Sequence, residues 1–152
     1  MTSLKRFTVI AAILISPACF GQVDGKGLIC DHDLTGKPWL KRLPPIAFFF
    51  DSGLVNMEKF TVENDEWKVK LFLLIRYETD TETIHWTRGS SPSFSHWTFY
   101  RKKGSLENRD SGFETLYTCQ VMDDREHYED TREQMKRSLQ ADYDKKREGN
   151  VL

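Results

Sequence analysis

The 152-residue chain is poor in the signals from which chemistry is usually read. It has three cysteines, and no pair of them has the C-x2-4-C spacing of a zinc site; His32, two residues after Cys30, does not supply it either. There is no G-x-S-x-G nucleophile turn, and Gly25-Lys26-Gly27 lacks the strand before and the helix after that a phosphate cradle requires. Gly89-Ser90-Ser91-Pro92-Ser93 is explained by turn chemistry. The 23 acids are spread along the chain and identify no glycosidase pair. No catalytic residue, metal ligand or cofactor is therefore assigned. Charge of one sign is also missing: 22 Lys and Arg stand against 23 Asp and Glu, so the broad basic field that draws in nucleic acid is absent. Neither IAFFF (46–50) nor LFLLI (71–75) approaches the roughly 20 apolar residues of a membrane span. No N-x-Ser/Thr sequon occurs, because Glu58, Glu66, Asp110 and Leu152 stand two residues after the four asparagines.

What is present begins with an address. Lys5 and Arg6 precede an apolar run from Phe7 to Ile15, followed by Ser16, Pro17, Ala18 and Gly21, the pattern of a secretory signal peptide. At 1.5 Å per residue this run makes about 14 Å of helix, too short to cross a bilayer core of about 30 Å. Cleavage after Gly21 makes Gln22 the first residue of an exported protein, periplasmic or secreted. A lipid anchor on Cys19 is the competing expectation, although Ser16 stands where bacterial lipoprotein signals carry a Leu-like residue. Removing 1–21, which contains two bases and no acid, leaves 20 basic and 23 acidic residues, a net charge of −3. It also leaves Cys30 and Cys119, an even count in an oxidising compartment, which predicts one disulfide. Closing a loop of about 90 residues contributes at most about 4.6 kcal/mol in the chain-entropy model.

The mature chain reads as strands followed by a helix. From Trp67 to Tyr77 the residues alternate strictly, and because Phe72 and Leu74 make the second row apolar too, the segment reads as a central strand. PIAFFF and LVNMEKF flank Asp51-Ser52-Gly53, read as a three-residue hairpin loop. Residues 82–88, 94–101 and 113–121 supply further strands, and GLIC (27–30) is expected at an edge beside the last of them. The expected fold is mainly β: one antiparallel sheet of six to seven strands, curled as a sandwich or partial barrel, plus one long C-terminal helix. The expected division is 1–21 signal peptide, 22–122 β-rich domain and 123–149 charged helix. Asp123 and Glu126 form a capping-box-like start, and Tyr128, Met135, Leu139 and Tyr143 make a narrow apolar stripe on a segment with 9 acids and 7 bases over 123–148. The end of this helix is expected either to project into solvent or to fray.

His85-Trp86-Thr87 recurs as His96-Trp97-Thr98, eleven residues on. A hairpin centred near Ser91 sets His85 opposite Trp97 and Trp86 opposite His96, so the histidines fall on opposite faces and share no metal. On this reading Trp97 and Phe99 face the core, while Trp86, Arg88, His96 and Tyr100 form the candidate binding face, suited to a protein or glycan of the cell envelope. Asp31-His32-Asp33 has oxygen and nitrogen ligands, but adjacent strand residues point to alternate faces.

The run from Cys30 through FFFDSGLV, Ile84-x-Trp86, Tyr100-Arg101, Leu106 and Tyr117-x-Cys119 resembles small uncharacterised bacterial exported proteins with paired cysteines in their first and last strands. The resemblance covers about 90 residues and implies export and a disulfide-stapled architecture, with no catalytic residue carried over. The expected function is a non-catalytic binding or envelope-associated module. The alternatives are a secreted hydrolase, marked by converging carboxylates, and a lipid-anchored inhibitor of an extracellular enzyme.

Overall fold

The computed structural model describes residues 23–35, 42–90, 93–110 and 113–149. Gln22 and Cys19, and with them the cleavage and anchoring expectations, lie outside the described residues. The strands are β1 (Gly27–His32), β2 (Ile46–Asp51), β3 (Leu54–Glu63), β4 (Glu66–Arg76), β5 (Glu78–Thr79), β6 (Thr83–Ser90), β7 (Ser93–Tyr100), β8 (Ser105–Asp110) and β9 (Phe113–Met122), followed by helix α1 (Arg125–Gly149). All nine join one antiparallel sheet in the order β4-β3-β2-β1-β9-β8-β7-β6-β5, curled into a half-barrel. The two strands beyond the expected seven are β5, only two residues long, and β8, whose sole aliphatic residue is Leu106.

Two placements differ from expectation. The GLIC strand is central, paired with β2 on one side and β9 on the other. The 67–77 strand lies at the edge. Its misleading pattern has a local cause: Met57 pairs with Leu73 and Glu58 with Leu71, leaving Phe72 as a β-bulge. The extra residue turns the odd row over, so that Trp67 and Val69 pack under the helix whereas Leu73, Ile75 and Tyr77 pack inside the barrel. Leu71 and Leu74 are left 61% and 53% exposed on the outer side.

Two hairpin turns set the β2–β3–β4 register. Asp51 pairs with Leu54 around Ser52-Gly53, a two-residue turn rather than the three-residue loop expected, and Glu63 pairs with Glu66 around Asn64-Asp65. All four turn residues have positive φ, between 52° and 75°, as the hairpin turns that match strand twist require.

The concave face holds the larger core, with Phe48, Phe50, Trp86, Trp97 and Tyr117 in edge-on, stacked or tilted contact. Cys30 and Cys119 face each other across β1 and β9 and form the expected disulfide, Cα to Cα 4.0 Å. The convex face is covered by α1 over β1, β2, β4 and β9. Asp124, not Asp123, caps the helix by accepting the His127 amide at 2.8 Å. Tyr128 then lies over Gly27, where a β-carbon would sit 2.3 Å from its ring. The far end is tied down rather than projecting. Gln140 accepts the Trp67 amide at 2.7 Å, while the Tyr143 hydroxyl and Arg147 guanidinium reach the Asp65 carboxylate at 3.0 and 2.9 Å.

Candidate functional site

The β6–β7 hairpin corrects the expected face. Trp86 pairs with Trp97, His85 with Thr98 and Thr87 with His96, because the hairpin centre lies half a residue beyond Ser91. That shift moves one strand by a single register step and exchanges the faces of its side chains relative to the other. Both indoles therefore point into the barrel, stacked with centroids 6.2 Å apart, and Trp86 is only 2% exposed. The four proposed binding residues are divided. Trp86 and Arg88 lie in the concave row, whereas His96 and Tyr100 lie in the convex row, where His96 Nδ1 meets the Thr87 hydroxyl at 2.8 Å and Tyr100 donates to Glu107 at 3.2 Å. The histidines share the convex face, their ring centroids 6.1 Å apart, with His85 Nε2 held 3.1 Å from Glu78. Among the described residues no three His, Cys, Asp or Glu side chains are grouped to hold a metal ion.

Asp31, His32 and Asp33 are occupied locally. Arg42 donates to Asp31 at 3.3 Å, the Leu43 amide donates to His32 Nδ1 at 3.1 Å, and the Thr35 amide donates to Asp33 at 2.8 Å. Hydrogen bonds from the Thr35 hydroxyl and then from its amide hold the Asp33 carboxyl below its ordinary range. On the convex side, a groove of about 410 Å³ runs between α1 and the chain before β2, lined by Pro44, Trp67, Leu139 and Tyr143. At the end of the barrel where β9 runs into α1, Val23, Phe50, Ile84 and Phe99 surround an apolar cavity of about 230 Å³.

The sheet does not close fully, and a seam is left between β4 and β6. Past Arg76 the chain runs through Tyr77 into β5, which pairs with β6, so the barrel is drawn together at that end. Towards the other end β4 and β6 have no ladder between them, and the bulged Phe72 fills the approach. The Lys59 ammonium from β3 lies 3.5 Å from the centroid of that ring, and the Arg88 guanidinium carbon from β6 lies 4.7 Å from it. Burial, reinforced by Arg88, pushes the Lys59 ammonium below the usual lysine range. Neither cation forms a salt bridge among the described residues. Two further polar groups on the same concave rows, Thr61 Oγ1 and Trp86 Nε1, are buried without a hydrogen-bond partner.

The sequence reading found Arg88 and Trp86 but missed Lys59, Thr61 and Phe72. Phe72 did carry a signal, an apolar residue on the wrong row of an alternating strand, whereas a lysine or a threonine within a strand carries none. No protein-family model, curated protein or solved structure matches the chain. The site is accordingly read from its own chemistry.

Proposed function

We propose that the protein is an exported, disulfide-stapled, non-catalytic binding module that works in an oxidising compartment, periplasmic or secreted, with a protein or glycan of the cell envelope as its partner class. The observation that carries this reading is the Cys30–Cys119 bridge, which joins two central neighbouring strands 89 residues apart in sequence. Such a bond persists where thiols are oxidised and is rare where glutathione keeps them reduced. It agrees with the secretory pattern of residues 1–21. A stapled half-barrel with an open seam is a rigid frame on which unpaired groups can be held for a partner.

The test is expression of the full chain in a bacterium, followed by fractionation and intact mass. The expected species starts at Gln22, is soluble in the periplasm or medium, and is two hydrogens lighter than its reduced form. A lipid-modified chain beginning at Cys19 would replace this with the anchored-inhibitor reading. Unprocessed protein with free Cys30 and Cys119 in the cytosol would overturn export.

A further inference from the structure

We propose that the seam between β4 and β6 binds a ligand carrying a carboxylate or phosphate on an apolar body. This adds a small amphiphilic ligand to the protein or glycan partner proposed above, and it rests on that reading only for the protein being a binding module.

Two cations meet at the Phe72 ring beside the seam, and two further donors on the same concave rows, Thr61 Oγ1 and Trp86 Nε1, are buried with no acceptor among the described residues. Lys59 and Thr61 follow one another on the concave row of β3, and Trp86 and Arg88 do the same on β6. The two cations share the Phe72 ring, at 3.5 and 4.7 Å, and no carboxylate. Lys59 is partly buried over the ring whereas Arg88 is exposed, and two like charges beside one ring repel each other. An oxyanion held by both cations offsets that repulsion through charge-assisted hydrogen bonds. Arg88 suits either a carboxylate or a phosphate, because its planar fork matches both.

The apolar body follows from what lies beside the cations. Phe72 is 40% exposed, and Leu73 and Ile75, the next residues in from the bulge on the concave row of the edge strand, are only partly buried. A small hydrophilic anion would leave that surface wet, whereas an alkyl chain covers it. The carboxylates at the centre of three other polar clusters already have partners, although Trp67 Nε1, Arg101 Nε, Asn108 Oδ1 and Arg132 Nε are also buried without one. Glu58 is held by Tyr128 and Arg132, Asp65 by Tyr143 and Arg147, and Glu107 by Tyr100 and Arg109.

The experiment is calorimetric titration of the disulfide-bonded mature protein with decanoate, acetate and inorganic phosphate. Saturable binding of decanoate is expected, at least tenfold tighter than either small anion. Lys59→Gln and Arg88→Gln should each weaken it at least tenfold, while Lys102→Gln, which removes a cation paired with Glu82 at the other end of the barrel, leaves it unchanged. Titration of the unmodified protein should also move the Trp86 indole N–H resonance, a readout that does not depend on either variant folding. Equal affinity for all three probes overturns the apolar part. Undiminished decanoate binding in both Gln variants, absence of saturable binding, or an unmoved Trp86 resonance overturns the site. Failure here leaves the module reading standing. Turnover of the 4-nitrophenyl ester of decanoate, inhibited by decanoate, would instead overturn the non-catalytic reading and leave the site in place.

Discussion

Glu58 and Lys59 are neighbours on β3, yet they lie on opposite sides of the sheet and are treated in opposite ways. Glu58 points under the helix, where the Tyr128 hydroxyl donates to it at 2.8 Å and Arg132 reaches both of its oxygens at 2.9 and 3.1 Å. Lys59 lies over the Phe72 ring beside Arg88 and forms no salt bridge among the described residues. On the convex side Glu58 belongs to the docking of α1, where burial together with its charge keeps the Tyr128 phenol well above the usual tyrosine range, and Glu107 is held by Tyr100 and Arg109. On the concave side, charge is left over. The difference separates the groups that hold the fold together from those available to a partner, although both sets sit on the same strand.

The largest effect should come from the concave core. Trp86→Ala and Trp97→Ala are each expected to cost about 3–5 kcal/mol in urea denaturation, since both indoles are buried and stacked. A loss confined to one of them would mean that the other faces solvent and would restore the alternative register. A smaller effect is expected at the helix interface. Gly27→Ala puts a methyl group into the Tyr128 ring and should cost about 1–3 kcal/mol, with loss of helix signal preceding loss of the tryptophan environment. Full tolerance of that alanine would show that Tyr128 does not lie on β1.

The sequence revealed much of this arrangement and misplaced parts of it for identifiable reasons. Alternation located seven strands, the helical stripe of Tyr128, Met135 and Leu139 located the docking face, and the even cysteine count located the disulfide. β8 escaped because SLENRD presents one aliphatic residue, and its pairing is supplied by its neighbours β7 and β9. The 67–77 strand looked central because a bulge splits one continuous row between two cores. Register in the 83–100 hairpin turned on whether the loop holds an odd or an even number of residues, a choice that composition does not make. The seam was not legible, because it depends on residues from β3, β4 and β6 that come together only when the sheet curls.

The most direct measurement of the contrast between the two faces compares Glu58→Gln with Lys59→Gln in equilibrium urea denaturation of the oxidised protein. Removing the Glu58 charge weakens its charge-assisted bonds to Arg132 and Tyr128 and should cost about 1–3 kcal/mol. Removing the Lys59 charge relieves its repulsion with Arg88 and forfeits one cation–ring contact, leaving stability within about 0.5 kcal/mol of the parent. Comparable losses in the two variants would contradict the account, because Lys59 would then be a structural charge like its neighbour and the seam would have nothing to spare for a ligand.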